Sequence, residues 1–212
     1  SLKALIKTYT PNDRKLSWIP TMGNLHNGHL TLIDKAPEDT VKVVTIYVNP
    51  LQFDNHDDYK CYPSTFKDDV ENCSKKNVDI IFAPKLNISG EFDNNNNIDL
   101  PKFTRYLCGA SRANHFSGVY KIVKYLFSII EPDFACFGKK DYQQLLLIKY
   151  IANTYFPNLQ IIDVDVVREN NIALSSRLNR LGKESLAKYA NIYNVLISMR
   201  KSLREGEKFY KL

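Results

Sequence analysis

The chain has 212 residues, 44% of them apolar and 25% charged, which is enough apolar material to bury a full core and excludes a disordered or collagen-like chain. The net charge of +6 gathers after Arg177, where eight Lys or Arg face three acids, so the rest is nearly neutral and a nucleic-acid surface is not expected. No run approaches the ~18 apolar residues of a membrane span, and Ser1 to Ile6 carries no long apolar leader. Cys61, Cys73, Cys108 and Cys136 are widely separated, which fits reduced thiols in a cytoplasm better than zinc or a disulfide scaffold.

In chain order, Leu16–Ile19 reads as a short strand ended by Pro20, and Gly28–Ala36 as a helix stopped by Pro37. The β-branched run Val41–Val48 reads as a buried strand closed by Asn49-Pro50. A helix is expected over Ser64–Lys76, capped by Ser64 or Thr65, then a strand over Val78–Ala83 and a surface loop over Asn87–Asn97. Apolar residues at helical spacing mark Phe116–Ile130, with a strand at Phe134–Phe137, a helix at Tyr142–Tyr155 and a strand at Ile161–Val167. The composition changes near Leu178, and Glu184–Arg204 reads as one basic helix. Strands alternating with helices predict an α/β fold, a parallel sheet covered on both faces. In such sheets ligands sit beyond the carboxyl ends of the strands, so the loops there are where chemistry is expected.

The loop after the first strand, Pro20 to His29, places His26 and His29 on either side of Asn27-Gly28 at the mouth of a helix. Free backbone N–H groups and the helix dipole would favour a phosphate, and both imidazoles could donate to a phosphoryl transition state. Two surface histidines beside a turn is the plainer alternative, and a zinc pair would lack a third ligand at a suitable spacing.

The HxGH pattern resembles that of the nucleotidyltransferase superfamily, which includes the class I aminoacyl-tRNA synthetases. A longer series is more specific: PTMGNLHNGHLTLI, VNPLQF, the YP of KCYPST, GASRANHFSGV, FGKKDYQQL, and VREN followed by ALSSR. In that order and approximate spacing, from Trp18 to Arg177, they resemble the pantoate–β-alanine ligase (pantothenate synthetase) family. The resemblance implies a Rossmann-like catalytic domain over residues 1–177, the start of a small C-terminal lid over 178–212, and a homodimer. It also implies ATP-dependent joining of pantoate to β-alanine through a pantoyl adenylate, with Mg2+ accompanying ATP.

By the same resemblance His26, His29 and Lys140 would be catalytic, His29 as proton donor or as a phosphate ligand. ATP would be held by Met22, Gly23, Asn24, Leu25, His26, Asn27, Gly28 and His29. Further nucleotide contacts would come from Gly138, Lys139, Lys140, Asp141 and Val167, and from a phosphate clamp of Leu174, Ser175, Ser176 and Arg177. Gln52 and Gln144 would hold pantoate, where a neutral amide can both donate and accept. Asn49 would either join that pocket or shape the turn before Pro50. Arg112 and His115 would stand near the β-alanine and phosphate end. Asp68 and Asp69 would either reach the magnesium or remain first-turn acids of a solvated helix. Ser64, the Ala113-Asn114 pair, Asp165-Val166, Leu174 and Leu178 depart from the family pattern. Other HxGH nucleotidyltransferases, a synthetase fragment and a non-catalytic nucleotide-binding domain are the rival readings.

Overall fold

Trp18 and Ile19 are neighbours in sequence and both wholly buried, which a strand achieves only when both faces of its sheet are covered. The computed structural model describes residues 2–11, 14–85, 98, 100–178 and 181–208, so the loop expected at 87–97 lies outside the described residues. The elements run α1 (Leu2–Tyr9), β1 (Leu16–Thr21), α2 (Asn27–Asp34), β2 (Val41–Ile46), α3 (His56–Lys60), α4 (Phe66–Lys75) and β3 (Ile80–Phe82). They continue as α5 (Cys108–Ser111), α6 (His115–Ile130), β4 (Phe134–Gly138), α7 (Tyr142–Tyr155) and β5 (Gln160–Val164). A hairpin of β6 (Arg168–Glu169) and β7 (Ile172–Ala173) precedes α8 (Lys183–Arg204). Five parallel strands form one sheet in the order β3-β2-β1-β4-β5.

Period-two alternation sorts the core into two layers. Trp18, Val43, Ala135 and Phe137 face the apolar sides of α6 and α7, joined by Leu2 and Ile6 of α1. Ile19, Val44, Cys136 and Val164 face the other way, onto Leu32 and Ile33 of α2 and Cys73 of α4. On α6, Val119, Ile122, Val123, Leu126, Phe127 and Ile130 are all buried, the i, i+3, i+4 stripe that their spacing predicts. Trp18 is the keystone of the first layer: its ring meets Phe127 edge-on at 5.2 Å and its Nε1 donates to Thr45 Oγ1 at 3.1 Å.

The chain leaves β1 toward β2 and β3, then returns to β4 on the opposite side, so β1 and β4 flank the point where strand order reverses. They share only the Ser17–Phe134 and Trp18–Ala135 positions before they part. That divergence explains why β1 does not stop before Pro20. Thr21 accepts from Tyr47 N, so odd residues of β1 bond toward β2 and Pro20 faces β4, where the ladder has already ended and no N–H is needed.

Other expectations shift locally. β5 ends at Val164, and the chain instead turns through Asn170 and Asn171, both at positive φ (49° and 66°), to make the small hairpin. Consecutive left-handed asparagines suit a tight two-residue turn, so that pair was the available signal for it. Thr65 caps α4 without accepting from a backbone amide; its hydroxyl turns toward Asp69 and Asn24. Among its described residues α8 buries none, and Ile192, Val195 and Leu196 are more than half exposed.

Candidate active site

The parting of β1 and β4 opens a cleft of about 280 Å³ at the carboxyl ends of the strands. Its floor is Trp18, Thr21 and Thr45 from the sheet, and one wall is the Val119, Val123 and Leu126 side of α6. Met22, His26, Gly28, His29, Asn49, Gln52, Arg112, His115, Gly138, Lys140, Asp141, Gln144, Val167, Leu174, Ser175, Ser176 and Arg177 all line it. Seventeen positions chosen from six separate sequence segments thus meet in one cavity.

His26 is the N-cap of α2, with extended backbone (φ −130°), and its Nδ1 accepts from Gly28 N at 3.1 Å. His29 Nδ1 accepts in turn from His26 N at 3.3 Å, a capping box built from two imidazoles. The rings stack at 4.0 Å. A side chain at residue 28 would put its Cβ 2.9 Å from the His26 ring, so glycine is required there for a close approach. Because each Nδ1 is an acceptor, each proton sits on Nε2, and both rings carry an N–H donor on the side away from the cap. Burial, then the neighbouring His26 and Lys140 charges, lower the His29 pKa to about 3. Burial, followed by Lys140, also lowers that of His26. Both imidazoles are therefore neutral donors at neutral pH.

The backbone of the preceding turn is not a phosphate cradle. The amide of Gly23 donates to Thr21 Oγ1 (3.2 Å), and those of Asn24 and Leu25 donate to Asp69 at 3.0 and 2.7 Å. Gly23, Asn24 and Leu25 therefore stand behind the cleft rather than along it. Asn27 also leaves it, its side chain donating to Glu169 at 2.8 Å. Lys139 turns to Asp165 (2.6 Å), and it is Lys140, 3.0 Å from Asp141, that reaches the cavity. These five positions, expected at the nucleotide from the sequence, do not line the cleft.

Gln52 is set from three sides. Asn49, 2% exposed, donates through Nδ2 to Gln52 Oε1 and to Gly118 O, both at 3.2 Å, while its Oδ1 accepts from Leu51 N. Asn49 thus shapes the turn and orients the glutamine at once. Gln52 Nε2 reaches Met22 Sδ at 2.9 Å. The Gln52 carbonyl accepts from Arg112 Nη2 (3.0 Å) and from His115 Nδ1 (3.1 Å), so these two side chains brace the turn as well as lining the cleft. Burial first, and Arg112 further down, lower the His115 pKa. Of the paired glutamines, Gln144 lines the cavity whereas Gln143 ties down the Phe103 and Tyr106 carbonyls.

On the far side, Ser176 is buried and exchanges two bonds with Asn24: Ser176 Oγ to Asn24 O and Asn24 Nδ2 to Ser176 O, each 3.2 Å. Ser175 Oγ accepts from Arg177 N. Arg177 makes a two-pronged ion pair with Asp58 of α3 (2.8 and 3.2 Å), which raises its pKa further. No sequence motif points to Asp58 or to the apolar α6 wall; the helical stripe Val119, Val123 and Leu126 is the one signal for the wall, and it serves core and cleft alike.

No group of three or more His, Cys, Asp or Glu suited to a metal occurs among the described residues. The cleft carboxylates Asp141 and Asp165 are each paired with a lysine, Asp69 is buried against backbone amides, and Asp68 is exposed and outside the cleft. Such a donor set suits a magnesium ion that arrives on nucleotide phosphates and keeps its waters.

Comparison with known proteins adds independent findings. A family model described as pantoate-beta-alanine ligase matches residues 1–211. A curated pantothenate synthetase of Vibrio parahaemolyticus is 43% identical over 181 residues, covering 84% of this chain; the match spans 60% of the relative's length. A crystal structure of the Thermus thermophilus pantothenate synthetase superposes with a TM-score of 0.87 at 33% identity, over 98% of this chain and 76% of that one. The Francisella tularensis pantoate-beta-alanine ligase, crystallised with beta-gamma ATP and beta-alanine, matches at a TM-score of 0.83 and 35% identity, over 91% and 75%.

Proposed function

The chain belongs to the pantoate–β-alanine ligase family, and from that premise we propose that it condenses (R)-pantoate with β-alanine to give pantothenate, at the expense of ATP. A pantoate carboxylate oxygen attacks the α-phosphorus of ATP, the bond to the β-phosphate bridging oxygen breaks, and pyrophosphate leaves with that electron pair. The β-alanine amine then attacks the acyl carbon of pantoyl adenylate, AMP departs, and the amine proton passes to solvent.

The observation that carries this reading is the pair of neutral imidazoles, each with an Nε2–H donor, in one cleft with Lys140 and both Gln52 and Gln144. In-line displacement at phosphorus needs charge stabilisation more than proton transfer. His26 and His29 would donate to phosphate oxygens, and a His29 pKa near 3 favours a hydrogen-bond donor over an acid. Lys140 would follow the charge that develops on the phosphates, and Asp141 the ribose hydroxyls. Met22, Gly28, Gly138, Val167 and Leu174 would wall in the nucleoside, while Ser175, Ser176 and Arg177 would close on its phosphates. Gln52 and Gln144 would bind pantoate, and Arg112 with His115 would sit toward β-alanine. Magnesium would come with ATP and neutralise its phosphate charge.

The same reading takes residues 178–212 as the beginning of a lid, in keeping with the unburied face of α8, and the working enzyme as a cytoplasmic homodimer. No helix among the described residues is long and apolar enough to cross a membrane. The deciding experiment is exchange of labelled pyrophosphate into ATP. Exchange that requires pantoate but not β-alanine supports the adenylate step and the acid substrate together. Intact ATP binding without exchange would refute the ligase reading for these residues on their own and leave an incomplete lid or a non-catalytic nucleotide-binding domain as the cause.

A further inference from the structure

Asp69 is a charged side chain only 2% exposed, and it lies outside the cleft where the chemistry is proposed. Burying a carboxylate is costly unless it is hydrogen-bonded throughout. Here Oδ2 accepts from Asn24 N at 3.0 Å, and Oδ1 from Leu25 N at 2.7 Å and from Thr65 Oγ1 at 3.3 Å. The amides belong to a turn in which Gly23 and Asn24 both have positive φ, 82° and 50°. Successive amides converging from such a turn form an anion-binding nest. The protein's own carboxylate fills this nest, which otherwise would compete for phosphate a few residues from the histidines.

The pinned residue, Asn24, is also the one that exchanges two hydrogen bonds with Ser176. One buried anion on α4 thus holds the turn that leads into His26 and His29 and, through Asn24, the docking point of the 174–177 loop. We infer that Asp69 is a positioning residue for nucleotide binding, an internal anion that fixes the histidine loop and the serine loop relative to each other. This rests on the nucleotide-binding part of the proposed function.

Asp69→Asn keeps the shape but turns an amide NH2 toward one of the two backbone donors and removes the charge. The test is calorimetric ATP binding by wild type, Asp69→Asn, Ser176→Ala and the double variant, with pantoate binding and melting temperature measured alongside. Asp69→Asn is expected to weaken ATP about tenfold, the scale of losing hydrogen bonds to a charged group, with pantoate changed less than about twofold. In the Ser176→Ala background the same substitution should cost less than about fivefold, because one of the two bonds it acts through, Ser176 Oγ to Asn24 O, is already lost. A lower melting temperature with ATP affinity unchanged, or an equal loss for both ligands, would overturn the inference. If Asp69→Asn does not fold, Thr65→Val decides: it removes one of the three donors and should weaken ATP about two- to threefold, and no change would overturn it. Wild type that binds ATP without pantoate-dependent exchange would sink the ligase reading while leaving Asp69 judged on ATP affinity. Wild type that fails to bind ATP would sink both.

Discussion

Replacing His29 by asparagine should make the fold less sensitive to acid. The Asn Oδ1 can accept from His26 N as His29 Nδ1 does, so the cap survives while the titrating ring is removed. In the folded chain burial, then His26 and Lys140, hold the His29 pKa near 3, against 6.5 for a free imidazole. Between those values the unfolded chain binds the extra proton and the folded chain does not. The contribution of His29 is therefore intact above pH 6.5 and is lost as pH falls toward 3. From pH 7.5 to pH 5 that loss is about 2 kcal/mol, or ~4–8 °C in melting temperature for a chain of this size. Thermal denaturation of wild type and variant across that range should show the wild-type value falling further, by that margin. Parallel curves would mean that His29 is not held neutral, and the argument for two Nε2–H donors would collapse with it.

Lys140→Ala should lower the rate of pantoate-dependent pyrophosphate exchange by two or more orders of magnitude while Lys139→Ala changes it little, because only Lys140 lines the cleft; equal losses would reject that distinction. Gly118→Ala would place a methyl 2.2 Å from the Leu51 carbonyl and 2.7 Å from Gln52 N, so denaturant unfolding should report at least ~3 kcal/mol of lost stability; a near-neutral outcome would mean that α6 does not press on that turn. Asp58→Asn weakens the partner that phosphates would have to displace from Arg177, and ATP affinity measured by calorimetry should improve about two- to fivefold. A weaker affinity would show that the pair orders the loop more than it competes for it.

How far the sequence reached depended on whether a property was local. Helix α7 starts and ends where its apolar run does, and Trp18/Ile19 with Val43/Val44 declared a sheet buried on both sides. Motif order also found the cleft, since each motif follows a strand or opens a helix at one end of the sheet. Directions of side chains were not legible. Composition and spacing do not say which lysine of GKKD turns inward or which glutamine of QQ is structural; only the family resemblance singles out Lys140 and Gln144, and these two line the cavity. Asp68 and Asp69 look alike in sequence, yet one is solvated and the other buried, because the turn at Gly23–Asn24 arrives against only one of them. The loop amides were expected to be free for phosphate; a carboxylate 44 residues away had already taken that of Leu25.

Pro20 has a consequence that reaches past its own strand. In the parallel register the rung after Trp18 would join residue 20 to the Cys136 carbonyl, and a proline has no hydrogen to offer. The two central strands therefore behave like a zipper with its slider jammed two teeth from the start. The gap cannot heal itself by further pairing when empty, so the sheet presents an open seam to whatever enters, without first having to be pulled apart.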